Sequence, residues 1–181
     1  MGERSNSITR KKFLKLSGGA VGAGLIATSG FSSSTIAQST DLLHRTIHST
    51  GEKVPAVGLG TALEFGDITA NYSKRKNAIK ALIREGGKVI DTSPTYSNAE
   101  KIVGRALDEL GARDKCFLAT KISVRGDKKE GIDQSIQSYK DLKTNSFNLL
   151  QVHNLRGTKA HLETINALKK EGKVSYTGVT H

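Results

Sequence analysis

Four polar residues of the chain, taken together, could deliver a proton to a carbonyl oxygen: Asp91, Tyr96, Lys121 and His153. An ammonium group close to a tyrosine favours the phenolate, which makes Tyr96 a better proton donor near neutral pH. Asp91 would hold Lys121 in place and keep it charged, and His153 would hydrogen-bond the substrate oxygen and orient it. The set suits protonation of a carbonyl oxygen while a hydride reaches the carbon.

Each of these residues also has an ordinary structural explanation when it is considered alone. Asp91 could cap a loop, Tyr96 could pack as an aromatic, Lys121 could be solvated, and His153 could be a satisfied loop histidine. Their positions favour the chemical interpretation, because all four fall at successive places where predicted strands run into loops. The remaining histidines lack metal-ligand spacing and the lone cysteine begins an apolar strand, so we expect no metal site and a small core residue at Cys116.

The elements that would position these side chains alternate along the chain. Five short apolar segments, each followed by an amphipathic one except the last, predict βα units on a parallel sheet. The predicted strands end 27 to 32 residues apart, near Thr61, Asp91, Lys121, His153 and Thr180. This regular spacing, and the absence of a Gly-x-Gly-x-x-Gly motif after the first strand, favour a (β/α)8 TIM barrel over a Rossmann sheet. Active sites of such barrels lie where strands run into the following loops.

Local patterns refine this prediction. Residues 45–57, with a Gly-containing turn at 49–52, predict an N-terminal β-hairpin. Ser97 and Glu100 have the spacing of a capping box at the start of the second helix. The buried faces of the last three helices are predicted from apolar spacing at Ile102, Val103, Ala106, Leu107 and Leu110, at Ile132, Ile136, Tyr139 and Leu142, and at Leu162, Ile165 and Leu168.

Residues 1–37 have the order of an export signal. A basic segment at 9–15, Thr-Arg-Lys-Lys-Phe-Leu-Lys, precedes a weakly apolar, glycine-rich segment at 16–30, and small residues around Ala37 allow cleavage after it. The order resembles a twin-arginine export signal, with Lys11 in place of the second arginine. We therefore expect the twin-arginine machinery to export the protein, to the periplasm. A cytoplasmic location is the alternative if the Arg10-Lys11 pair is not used.

The charge and hydropathy of the chain exclude two other classes of partner. The net charge is +11, but residues 1–40 hold five basic side chains and one acidic one, and the remainder carries +7 scattered among 23 basic and 16 acidic residues. Aromatic residues do not interleave with this basic surface, so we expect no nucleic-acid partner. No stretch reaches the roughly 18 continuous apolar residues of a membrane span, so we expect no stable membrane anchor.

The chain from about residue 43 to its last residue resembles an aldo/keto reductase. Any one matching segment is weak evidence, but their order and spacing together are specific. The matching segments are 57–61 (Val-Gly-Leu-Gly-Thr), 89–93 (Val-Ile-Asp-Thr-Ser) with Tyr96, 99–107 with Ala-Glu and Val-Gly, 119–122 (Ala-Thr-Lys-Ile), 149–154 (Leu-Leu-Gln-Val-His-Asn) and 172–180.

The resemblance implies an enzyme that reduces an aldehyde or ketone with NADPH and uses a tyrosine as the proton donor. The family's Asp, Tyr, Lys and His map onto Asp91, Tyr96, Lys121 and His153. It also implies that Gly60 and Thr61 lie beside the nicotinamide and that Thr180 stands where a serine helps to hold the carboxamide. The chain departs from the family pattern at Ser97, where glycine is usual, and at Thr180-His181, where Ser-Asn is usual.

The length of the chain limits this expectation. A complete barrel of this kind takes about 250 residues, so residues 38–181 are expected to form a partial barrel that stops after about the fifth strand. The alternative functions are therefore a catalytically inactive fragment or a barrel that binds a nucleotide and regulates a partner. A Schiff-base lyase that uses Lys121 is disfavoured, because the nearby Asp91 keeps the amine charged.

Overall fold

The computed structural model describes residues 42–63, 65–67 and 71–181. The predicted export signal lies outside these residues, so its boundary at residue 37 stays a prediction. Within the described ranges, no helix combines the length and the apolar character needed to cross a bilayer.

The first element is the predicted hairpin. Strands β1 (His44–Thr46) and β2 (Lys53–Pro55) pair antiparallel. Gly51 lies in the turn between them with a φ of 76°, a backbone conformation that residues with a β-carbon rarely adopt. The hairpin also contacts the last strand of the chain, where the hydroxyl of Tyr176 hydrogen-bonds to Thr50 and Glu52.

The remaining elements form a parallel five-stranded sheet with helices between its strands. The strands lie in chain order, and each neighbouring pair is parallel, which confirms the predicted α/β architecture. The elements are β3 (Leu59–Gly60), α1 (Tyr72–Arg84), β4 (Val89–Asp91), α2 (Ala99–Glu109), β5 (Phe117–Ile122), α3 (Lys128–Asp141), β6 (Phe147–Val152), α4 (Thr158–Lys170) and β7 (Val174–Val179), with short 3-10 turns at Arg113–Lys115 and His153–Leu155.

The core lies between the sheet and the helices. Ile90, Leu118 and Leu150 occupy one face of three neighbouring strands and are fully buried. Because side chains alternate between the two faces of a strand, the opposite face carries Asp91 and Lys121. Burial of each large apolar side chain contributes about 1.5–3 kcal/mol, so the helix-facing side stabilises the sheet and leaves the other face available for polar groups.

The predicted buried face of α3 is only partly correct. Ile132 and Ile136 are 40% and 46% exposed, whereas Gly131, Ser135 and Ser138 are buried. The helix turns its small residues inward because its neighbour is close: a β-carbon on Gly131 would lie 2.6 Å from the His161 ring. Both buried serines have hydrogen-bond partners, since Ser135 donates to the Gly131 carbonyl and Ser138 donates to the Glu100 carboxylate.

The predicted capping box at the start of α2 is wrong. The helix begins at Ala99, and its cap residue Asn98 makes no side-chain capping bond. Glu100, only 3% exposed, instead accepts hydrogen bonds from Thr120 at 2.6 Å and Ser138 at 3.0 Å, which ties α2 to β5 and α3. Burial raises the pKa of this carboxyl group, against the opposing effect of the two hydroxyl donors.

The buried Glu100 makes the stability of the fold depend on pH. The pKa of this carboxyl group is higher in the folded state than in the unfolded state, where it is about 4.5. Its contribution to the free energy of unfolding is therefore fully present below pH 4.5 and is lost as the pH rises through the folded-state pKa. We expect Glu100→Gln to remove this loss, which is at most about 1.4 kcal/mol per pH unit in the free energy of unfolding. Urea unfolding from pH 4.5 to 8 tests this, with the exposed Glu163→Gln as control. Parallel curves for the wild type and Glu100→Gln would contradict it.

Candidate active site

An ion pair between two neighbouring strands forms the centre of the site. Asp91 ends β4 and Lys121 lies near the end of β5, and the Lys121 Nζ donates to Asp91 Oδ2 at 2.6 Å. The same ammonium group donates to the Thr92 carbonyl at 2.7 Å. The lysine side chain is 5% exposed and the aspartate side chain 39%. The lysine end of the pair is therefore desolvated and depends on its two acceptors.

Two further side chains hold Asp91. Thr61 is fully buried, and both its hydroxyl and its backbone N–H donate to the Asp91 carbonyl, at 3.0 and 3.1 Å. Gln151 donates to Asp91 Oδ1 at 3.4 Å from its position beside Lys121 in the β5–β6 register. Gln151 is not among the site residues predicted from the sequence. Strand alternation could have identified it, since it lies two residues before His153 and shares the face of Lys121.

Tyr96 lies in the loop that follows β4. Its backbone N–H donates to the Ser93 carbonyl at 3.0 Å, which closes a turn in this loop. The Lys121 Nζ is 5.1 Å from the centre of the Tyr96 ring, and the His153 ring meets it edge to face at 5.9 Å. The structure therefore brings together the four side chains that the sequence predicts as catalytic.

His153 begins the short turn after β6 and is buried. Its Nδ1 atom is 2.8 Å from the Ser123 hydroxyl and 3.2 Å from the Ser93 hydroxyl. Burial lowers the pKa of the ring, and the positive charges of Lys121 and Arg156 lower it further. The imidazole is thus neutral near pH 7, and it can donate a proton in a hydrogen bond through only one of its nitrogens.

The predicted cofactor residues lie at the same end of the sheet. Gly60 pairs with Asp91 in the strand register, and a β-carbon placed on it would meet nothing within 4 Å. The hydroxyls of the two threonines already have partners: Thr61 bonds to Asp91, and Thr180 accepts a bond from the Asn154 N–H at 3.0 Å. The described residues contain no group of three or more potential ligands placed to hold a metal ion.

Ser97 follows Tyr96 and has a φ of 52°. This left-handed backbone conformation is unfavourable for a residue with a β-carbon, because that atom comes too close to the following carbonyl oxygen. We expect Ser97→Gly to raise the free energy of unfolding by roughly 0.5–1 kcal/mol, because glycine adopts this conformation without that cost. Urea denaturation measures the change. Ser97→Ala is the matched control, since it removes the hydroxyl and keeps the β-carbon. Equal effects from both substitutions would show that backbone strain is not the cause.

The comparisons of this chain with protein-family models and with curated proteins identify the same family. The model of the aldo/keto reductase family matches residues 56–181. Among curated proteins, the chain is 29% identical over 154 residues to the aldo-keto reductase YhdN of Bacillus subtilis, covering 76% of this chain and 46% of that protein. It is 30% identical over 125 residues to the aldo-keto reductase str7 of Strobilurus tenacellus, covering 64% and 37%.

Solved structures show the same relationship. An aldo-keto reductase from Klebsiella pneumoniae in complex with NADPH is 28% identical, with a TM-score of 0.68, and the match covers 77% of this chain and 50% of that one. A second Klebsiella structure, in complex with NADP and acetate, is 29% identical, with a TM-score of 0.63, and the match covers 71% and 46%. The chain thus spans half the length, or less, of each of these four proteins.

Proposed function

Since the chain belongs to the aldo/keto reductase family, we propose that it carries the site of an NADPH-dependent oxidoreductase that reduces an aldehyde or a ketone. The observation that carries this proposal is the buried ammonium group of Lys121, held by Asp91 beside the Tyr96 ring. A cation in that position stabilises the negative charge that a tyrosine gains when it gives up its proton.

The residues at the strand ends fit a nicotinamide cofactor. Gly60 has open space where another residue would place a β-carbon, so the flat face of a ring could approach the backbone there. We propose that Gly60 lies against the nicotinamide, while Thr61 and Thr180 contribute by holding Asp91 and the turn that contains His153. NADPH, when bound, supplies the hydride that reduces the carbonyl carbon.

The side chains of the site would then complete the reduction. Tyr96 gives its hydroxyl proton to the carbonyl oxygen, and the new O–H bond neutralises the charge that forms when hydride reaches the carbon. Lys121 stabilises the resulting phenolate, and Asp91 keeps the ammonium group in place. His153 donates a hydrogen bond to the substrate oxygen, which orients the carbonyl group toward Tyr96.

Turnover of NADPH by the purified chain tests this function. The chain is mixed with NADPH and a panel of aldehydes and ketones, and alcohol formation is measured by mass spectrometry alongside the loss of NADPH absorbance. We expect alcohol and oxidised cofactor in equal amounts. Binding of NADPH without turnover would favour a regulatory barrel instead, and absence of both would contradict the proposal.

We also propose that residues 1–37 direct export through the twin-arginine machinery. The basic segment with Arg10, followed by Phe13 and Leu14, supports this. Residues 1–42 fused to a reporter that folds before export should deliver it to the periplasm of a bacterial host, and Arg10→Gln should stop most of this delivery. Arg4→Gln, outside the motif, is the control. Equal export by both variants would contradict the proposal.

A further inference from the structure

Hydroxyl groups surround one nitrogen of the His153 ring. Ser123 Oγ lies 2.8 Å from Nδ1, Ser93 Oγ 3.2 Å and Thr95 Oγ1 3.5 Å. The two serine hydroxyls are 3.2 Å apart, and Ser93 Oγ is 3.0 Å from Thr95 Oγ1. Every described hydrogen bond of the ring thus falls on Nδ1, and each partner is a hydroxyl, which can donate as well as accept.

The loop that carries Ser123 is held from both sides. Gln134 on α3 accepts hydrogen bonds from the backbone N–H groups of Ser123 and Val124, at 2.6 and 3.3 Å. His161 on α4 is fully buried, and its Nε2 lies 2.9 Å from the Val124 carbonyl. Two helices therefore hold the backbone that places a buried serine hydroxyl at hydrogen-bond distance from Nδ1.

Burial and the charges around the ring favour the neutral imidazole. Burial opposes a second proton most strongly, and the ammonium of Lys121 and the guanidinium of Arg156 oppose it as well, while the carboxylate of Asp91 favours one less strongly. The neutral ring has one N–H and one bare nitrogen. A hydroxyl that donates to a bare Nδ1 leaves the proton on Nε2, and a hydroxyl that accepts from Nδ1 leaves Nε2 bare.

We infer that Ser123, supported by Ser93, positions His153 by donating a hydrogen bond to Nδ1, so that the neutral ring carries its proton on Nε2. That N–H is then free to bond to the oxygen of a carbonyl substrate. The serines are positioning residues, since they act through His153. The direction of this hydrogen bond, and with it the tautomer, rests on the proposed function, because the distances themselves fit a hydroxyl that donates or one that accepts.

The tautomer is measured by long-range proton–nitrogen NMR of the full chain labelled with 15N-histidine at pH 7. His153→Gln identifies the signals of the ring among the five histidines. We expect wild-type signals of a bare Nδ1 and a protonated Nε2. In Ser123→Ala these signals should move toward a mixture of tautomers, and Ser123→Thr, which keeps the hydroxyl, should restore the wild-type pattern.

Ser135→Ala is the matched control, because it removes another buried serine hydroxyl that bonds within its own helix. It should leave the His153 signals unchanged. A protonated Nδ1 in the wild type, or unchanged signals in a folded Ser123→Ala variant, would overturn the inference. The expected tautomer without carbonyl turnover would refute the proposed function alone, whereas turnover with a protonated Nδ1 would refute only this inference.

Discussion

Replacing Tyr96 by phenylalanine is expected to lower kcat/KM for carbonyl reduction by about 10²- to 10⁴-fold, the range that a positioned proton donor supplies. The substitution removes the hydroxyl and keeps the ring. The contacts of that ring with Lys121 and His153 should therefore survive, and so should the fold. Affinity for NADPH should change by less than about twofold, because the lost interaction acts on the reacting oxygen.

Tyr139→Phe provides the matched control for this prediction. Tyr139 stacks on Phe147 with its ring centre 4.2 Å away, and its hydroxyl donates to the Lys173 carbonyl, away from the site. Steady-state kinetics and thermal melting of both variants separate loss of a proton donor from loss of structure. An unchanged kcat/KM in Tyr96→Phe would exclude this hydroxyl as the donor, and an equal fall in both variants would indicate a general structural effect.

Removing either partner of the Asp91–Lys121 pair should abolish most activity, but the two substitutions should differ in stability. Asp91→Ala leaves a buried ammonium group with only the Thr92 carbonyl, and we expect it to lower the free energy of unfolding by about 2 kcal/mol. This destabilisation is smaller than the one expected from breaking a fully buried ion pair, because the aspartate side chain is partly solvated. Lys121→Met leaves a carboxylate that water can reach, so it should cost less than about 1 kcal/mol.

A double-mutant cycle tests this asymmetry. Urea unfolding at pH 7 gives the free energy of unfolding for each single variant and for Asp91→Ala with Lys121→Met. The double variant should be more stable than Asp91→Ala alone, because it no longer buries an unpaired charge. Both single variants should lose roughly 10²-fold or more in kcat/KM. Equal destabilisation by the two single substitutions would show that the lysine end is not the desolvated one.

The ends of the strands could be predicted from the sequence because their physical requirements are local. A strand buried against helices needs a run of apolar residues, and a polar residue at the end of such a run marks the point where the chain leaves the core. Asp91 ends β4, His153 directly follows β6, and Lys121 stands one residue before the end of β5. Since parallel strands place these ends on one edge, the proximity of the side chains followed from the order of the elements.

The side chains that support the site could not be found in the same way. Ser93, Ser123 and Gln151 are polar residues without a periodic pattern, and their partners lie about 30 to 60 residues away in the chain. The same limitation explains the two corrections in the helices. Glu100 has the spacing of a capping residue, and only the packing of α2 against β5 shows that its carboxylate bonds to Thr120 instead.

Local pattern by itself therefore determined the parallel α/β sheet, the N-terminal hairpin, and the positions of Asp91, Lys121 and His153 near the strand ends with Tyr96 in the following loop. The tertiary structure alone decided which end of the ion pair is desolvated, which face of α3 is buried, and which nitrogen of His153 is held by hydroxyl groups. The physical reason is that apolar periodicity is imposed by an element's own geometry, whereas burial and hydrogen bonding of a polar group depend on the distance to atoms of other elements.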